Sequence, residues 1–391
     1  MSAWLELLQY GGRHFTARYS RPRGQRDLKA KVPVWDYLNI SQGTSGAAEL
    51  RAVIQRCGFG RKAMRMKNIL VHFKVEDKIK EDLAGRCNQK ARLFTTEDTG
   101  RDFQQILPEI HILLTSNLTL GTDPDILEKM THLELIQSVT VGVDRLPFHK
   151  IRDEVVVCTA SGALSKPIAE HTFALILAMA KNVVRHVNTM REGVFDGGVQ
   201  SKLLSGKTIG IVGFGSIGRE VAKIAHGFGM RALAINRSGQ TEYECASIGT
   251  LVDLDYVLSE SNVVVIALPL TRLTEGLIGH EEVKKTKEDA ILVNVSRAGI
   301  IKQADLYRHL RDHPSFMAAS DVWWQYPGDR QGGVSYQEYP FHQLENFLMT
   351  PHVAANIPSA KERMFNAAIE NIKRYLEGKA VVNVVSKQEY F

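Results

Sequence analysis

Gly213-Phe214-Gly215-Ser216-Ile217-Gly218 is the stretch whose residue types and spacing most directly imply chemistry. It follows Thr208-Ile209-Gly210-Ile211-Val212, a run of small and β-branched residues that predicts a buried strand. It precedes Arg219-Glu220-Val221-Ala222, which predicts a helix. In that context Gly213 permits the tight turn, Gly215 lets the backbone approach a pyrophosphate, and Gly218 lets the helix pack on the strand. The N–H groups of Ser216 and Ile217, at the helix N-terminus, would face the anion. A second strand is predicted at 231–235, followed by Asn236-Arg237-Ser238. An Asp or Glu there would accept from a ribose 2′-hydroxyl; an uncharged Asn236 beside a cationic Arg237 suits a 2′-phosphate instead. The sequence therefore points to NADP, with NAD as the alternative. Ser205-Gly206-Lys207-Thr208 resembles the end of a phosphate loop, but it precedes its strand and has Ser201 where a leading glycine belongs, so it reads as a turn.

The elements that must position this turn alternate in type. Strands are predicted at Ile69–Phe73, Ile110–Leu114 and Leu135–Gln137, with a helix over Val75–Ala84 and another starting at Asp125–Lys129. A long helix is predicted from Ser165 to Val184, then a polar link from Arg191 to Ser205. A second series follows, with strands at 208–213, 231–235, 262–267, 290–295 and 316–320, and a last helix over Ser359–Leu376. Such alternation implies parallel sheets in an α/β fold.

The chain has 391 residues, enough for two domains. Its charge is uneven: residues 1–66 hold 12 Lys/Arg against 4 Asp/Glu, and the remainder 37 against 39. The basic character belongs to the N-terminal extension, and the rest gives no reason to expect a nucleic-acid partner. Three readings of residues 1–65 compete: a stretch upstream of the working protein, which we favour; an organelle-targeting peptide; or a basic tail that meets an acidic partner. Without targeting, the expected location is the cytoplasm. The longest apolar stretch, Phe173 to Ala180, falls well short of the roughly 20 residues a membrane span needs. The four cysteines form no CxxC pair, so neither a disulfide framework nor a metal site is expected.

From about residue 66 to 391 the chain resembles the D-isomer-specific 2-hydroxyacid dehydrogenase family. The landmarks are Ser138-Val139-Thr140-Val141-Gly142-Val143-Asp144, Ala169-Glu170-His171-Thr172, the glycine turn, Leu268-Pro269-Leu270-Thr271, Asn294-Val295-Ser296-Arg297-Ala298-Gly299, Ser320-Asp321-Val322-Trp323 and Thr350-Pro351-His352. The resemblance implies two Rossmann-like or flavodoxin-like domains with the cofactor domain inserted into the substrate domain. The substrate domain would be 66–164 plus 354–391, the cofactor domain 165–353. It also implies a cleft site, a small 2-keto or 2-hydroxy acid substrate, and a homodimer. The glyoxylate/hydroxypyruvate reductase branch is the nearest by eye; the absence of a regulatory domain after residue 391 argues against the longer phosphoglycerate dehydrogenases.

Reducing a 2-keto acid needs a cation for its carboxylate and a proton for the developing alkoxide. Arg297 follows a strand at its carboxyl end, where ligands bind in such sheets, and a guanidinium can hold a carboxylate through two N–H groups. The resemblance assigns the proton to His352, and places the backbone of Val141 and Gly142, with Ser116 and Asn117, along the substrate. It places Leu268, Pro269, Thr271, Val295, Ser296 and Asp321 along the cofactor. Where the family has a carboxylate paired with the histidine, this chain has Tyr326. Gln325, Asp329 and Glu338 are the other candidates for that role. A neutral partner orients the imidazole without stabilising its cation, so a lowered His352 pKa is expected. Trp323 and Trp324 read either as pocket walls or as core, and His171 as a residue that caps or packs the long helix. The alternatives to a keto-acid reductase are a nucleotide-sensing, corepressor-like protein of the same fold and a formate- or phosphite-type dehydrogenase.

Overall fold

The structure, a computed structural model, describes residues 66–87, 90–96, 103–116, 125–326 and 339–390. The basic extension, Asn117, Asp329 and Glu338 lie outside these residues.

Two parallel sheets carry the fold. The first is built from β1 (Lys67–Val71), β2 (Ala91–Thr95), β3 (Ile112–Thr115), β4 (Leu135–Ser138) and β5 (Val156–Cys158), in the order β2-β1-β3-β4-β5. Helices α1 (Asp77–Cys87), α2 (Phe103–Ile106) and α3 (Ile126–Lys129) belong to this part of the chain. Next come α4 (Ser165–Ala180) and α5 (Val183–Arg191). The second sheet holds β6 (Thr208–Val212), β7 (Arg231–Ile235), β8 (Ser247–Gly249), β9 (Val263–Ile266), β10 (Ile291–Asn294), β11 (Met317–Ser320) and β12 (Phe347–Met349), in the order β12-β11-β10-β9-β6-β7-β8. Its helices are α6 (Ser216–Gly227), α7 (Leu254–Glu260), α8 (His280–Lys284) and α9 (Gln303–Asp312). The strands β3, β4, β6, β9 and β10 are buried along their whole length, and each sheet has an apolar cluster on both faces. That is why they read as continuous apolar runs rather than alternating ones.

After the second sheet the chain returns to the first. In α10 (Ala360–Leu376), Phe365, Ala368, Ile369 and Ile372 pack with Ile69, Leu114 and Leu135. Buried Asn371 donates to Gln137 Oε1 at 2.7 Å and its own Oδ1 accepts the Val382 N–H at 2.8 Å, which fixes α10 to β4 and to the tail behind it.

The predicted long helix is broken. It stops at Ala180, Asn182 takes a left-handed conformation with φ 51°, and α5 restarts at Val183. Asn is one of the few side chains that tolerate that region. The break is held by the Asn182 amide, which donates to the Gln200 carbonyl at 3.1 Å, and by Lys181 Nζ, which donates to the Lys202 carbonyl at 2.8 Å. No helix among the described residues is long and apolar enough to cross a membrane.

Candidate active site

In the second sheet the strand order reverses at β6, whose neighbours are β7 and β9, and ligands bind where connections diverge at such a point. The loops leaving β6 and β9 meet there. Gly213 has φ 113°, and a Cβ on it would fall 2.5 Å from the Ala267 carbonyl. A Cβ on Gly218 would fall 2.3 Å from the Gly213 oxygen. These two glycines shape the turn and bring α6 against β6. Gly215 differs: a Cβ there would meet nothing within 4 Å, and the residue lines a cavity of about 790 Å³. The open backbone at the N-terminus of a 12-residue helix fits a dinucleotide pyrophosphate.

Ser216, Ile217, Leu268, Pro269, Val295 and Ser296 line the same cavity. Thr271 does not. It is buried, and its N–H is taken by Thr274 Oγ1 at 2.9 Å, so it braces the loop behind Pro269. Asn236 and Ser238 are also turned away: Asn236 Oδ1 accepts the Gly239 N–H at 2.7 Å and its amide donates to the Gln240 carbonyl at 2.8 Å. Arg237 alone of the three reaches the cavity, and there it pairs with Glu389 at 2.6 Å.

Across the cavity, Arg297 stands just beyond the end of β10. Its own carbonyl is pinned by the Asn294 amide at 3.0 Å. Its Nε donates to Asp144 Oδ1 at 2.9 Å and its Nη1 to the Ser296 carbonyl at 2.8 Å. The guanidinium lies against the backbone of Gly142, so close that a Cβ there would fall 1.6 Å from Nη2. Val141 and Gly142 line the cavity, whereas Ser116, though described, does not.

His352 sits in the loop after β12 with φ 58°, a conformation to which His is better suited than most residues. The buried carboxylate of Asp321 holds the loop there. Oδ1 accepts the Val353 N–H at 2.9 Å and the Thr350 hydroxyl at 2.6 Å, and Oδ2 accepts the Ala354 N–H at 2.8 Å. His171 on α4 reaches the same cluster through Thr350 Oγ1 at 3.1 Å. Asp321 was expected at the cofactor. It does border the cavity, and its resolved partners are these loop groups.

Tyr326 Oη lies 2.8 Å from His352 Nδ1 and also accepts the Trp323 N–H at 3.3 Å. Gln325, the other neighbouring candidate, does not line the cavity. The His352 side chain lines the cleft and stays exposed there. Partial desolvation pulls its pKa below the ordinary imidazole value, the Arg297 charge lowers it further, and Asp321 and Asp144 oppose the shift. Burial raises the Tyr326 phenol, which therefore remains neutral. Trp323 and Trp324 belong to the core: their indole N–H groups donate to the Thr350 and Ile301 carbonyls, and neither ring lines the cavity.

Comparison with known proteins fits this geometry. Residues 173–354 match the family model of the D-isomer specific 2-hydroxyacid dehydrogenase NAD binding domain. Over 292 residues the chain is 30% identical to the hydroxypyruvate reductase of Thermotoga maritima, covering 74% of this chain and 92% of that protein. Over 291 residues it is 33% identical to the glyoxylate reductase of Aeropyrum pernix, covering 71% and 83%. The chain belongs to the D-isomer specific 2-hydroxyacid dehydrogenase family. A crystal structure from Thermus thermophilus superposes with a TM-score of 0.61 at 27% identity, covering 82% of this chain and all of that one. As a D-2-hydroxyacid dehydrogenase, the protein is an oxidoreductase of CH–OH groups with a nicotinamide dinucleotide as partner. Sequence reasoning missed three cavity residues with charge: Asp144, inside a quoted landmark but given no role, Arg145 just after it, and Glu389, in a tail that carries no motif.

Proposed function

We propose that this D-2-hydroxyacid dehydrogenase works as a reductase of small 2-keto acids of the glyoxylate and hydroxypyruvate kind, with NADP as its preferred cofactor. The observation that carries the reading is the convergence of Arg297, Gly142 and the Tyr326–His352 pair on the cavity that the glycine turn opens into. The names of the two relatives above support the substrate class, and Arg237 supports the cofactor.

On this reading the substrate carboxylate lies against the Arg297 guanidinium and the adjoining Val141–Gly142 backbone, held by charge-assisted N–H donors. Arg297 also polarises the ketone, and His352 Nε2 delivers the proton to its oxygen. Tyr326 holds Nδ1, so the other nitrogen faces the substrate. Gly213, Gly215 and Gly218 seat the dinucleotide, which supplies the hydride when bound. Residues 66–164 and 354–391 are assigned to the substrate domain, and 165–353 to the cofactor domain.

The test is absorbance-monitored oxidation of NADPH and NADH with glyoxylate, hydroxypyruvate and bulkier 2-keto acids. The proposal expects turnover of the small acids and a lower KM for NADPH. Tight NADPH binding without turnover of any acid would favour a nucleotide sensor instead.

A homodimer is part of the same proposal. Beyond the Asn182 break, α5 and its link expose Val183, Val187, Met190, Phe195 and Leu203, with Phe195 90% accessible. Val183, Val187 and Met190 line one shallow groove, and a second copy can bury exposed apolar side chains of this kind. The doubly charged variant Val187→Glu/Met190→Glu is expected to sediment as a monomer where the wild type sediments as a dimer. A wild type that sediments as a monomer would remove this part of the proposal.

A further inference from the structure

The last residues of the chain cross from the first sheet to the cofactor turn. Lys387 Nζ donates to the carbonyls of Arg152, Asp153 and Val155 at 2.6, 2.9 and 3.0 Å. Tyr390 stacks on Phe148 with ring centroids 4.5 Å apart. Between them, Glu389 accepts the Arg272 backbone N–H at 2.9 Å through its carbonyl and reaches Arg237 with its carboxylate. Its side chain is 21% exposed, whereas that of Arg237 is 76% exposed. The acid is thus held by its surroundings, and the arginine is the partner free to swing.

We propose that Glu389 is a specificity-determining residue of the cofactor site. It supplies Arg237 with an internal counter-ion, and so weakens the capture of a 2′-phosphate without affecting a bare ribose. The inference rests on the reading of Arg237 as the cation that pairs with the 2′-phosphate. A 2′-phosphate must displace the carboxylate and then sit beside it, whereas a 2′-hydroxyl carries no charge and meets neither cost. The carboxylate comes from the far end of the chain, not from the end of β7, where an acid would ordinarily discriminate.

The experiment measures dissociation constants for NADPH and NADH on the full chain by fluorescence titration, for wild type, Glu389→Gln and Arg237→Ala. In Glu389→Gln, NADPH is expected to bind about fivefold tighter, the ceiling for a solvent-facing ion pair, while NADH changes by less than about twofold. The tail stays seated through Lys387, Tyr390 and the Glu389 carbonyl. An unchanged NADPH/NADH ratio, or an equal change for both cofactors, overturns the proposal. If Arg237→Ala leaves the ratio untouched, the reading of Arg237 itself fails. If Arg237→Ala removes the NADPH preference and Glu389→Gln does not alter it, only the role of Glu389 fails.

Discussion

Replacing Gly142 by Ala tests whether the resting position of Arg297 is the working one. A Cβ at 142 would lie 1.6 Å from Arg297 Nη2, 2.7 Å from its Cζ and 2.9 Å from Asp144 Oδ1. Carbon and nitrogen need about 3.5 Å, so the guanidinium must retreat by about 2 Å. Misplacing a reacting or binding group by about 1 Å can cost 100-fold in rate. Gly142→Ala is therefore expected to lower kcat/KM for the keto acid by at least about 100-fold, or about 2.7 kcal/mol of transition-state stabilisation. Affinity for NADPH, carried chiefly by the glycine turn, should stay within about twofold. Steady-state kinetics with the best acid of the panel and fluorescence titration with NADPH measure the two quantities. A variant that keeps kcat/KM within about threefold would show that the substrate does not use the guanidinium where it now stands.

Two further outcomes follow from the histidine and its loop. On the proposed reading reduction needs His352 protonated, so its rate falls as pH rises through the His352 pKa. Because that pKa is lowered, the limb should lie below the ordinary imidazole range. Tyr326→Glu places an anion at Nδ1 and should move the limb up by about 1–3 units; a pH–rate profile unchanged by the substitution would refute the pairing. Asp321→Asn sets an amide N–H against backbone N–H groups it cannot accept from, and should cost about 2–4 kcal/mol in chemical denaturation. A loss below about 0.5 kcal/mol would mean that Asp321 does not hold the His352 loop.

The parts legible in the sequence and the parts missed divide on physical lines. Interior strands β3, β4, β6, β9 and β10 were expected because burial on both faces writes an apolar run into them. The strands not expected are β2, β5, β8 and β12, which are the four edges of the two sheets. An edge strand pairs on one side only, and these are three to five residues long. β2 carries exposed Arg92, and β8 is Ser-Ile-Gly. The glycine turn was legible because its spacing follows from steric need. The contact between Gly142 and Arg297 was not, since 155 residues separate two positions that only the fold brings together. The break at Asn182 left no apolar signature, because the pattern of α4 runs on past it.

The cavity described above also sets an electrical condition. Among the described residues, Arg145, Arg237 and Arg297 face it with Asp144, Asp321 and Glu389. Three cations and three anions leave a formally neutral chamber while His352 is neutral, as its lowered pKa favours. An entering keto acid adds one negative charge beside the imidazole, and that charge raises the proton affinity of the ring. By reciprocity, the proton raises the affinity for the acid by the same factor. On the proposed reading substrate and proton thus load as a pair, and the neutral partner at Nδ1 lets the substrate's own charge arm the acid that protonates it.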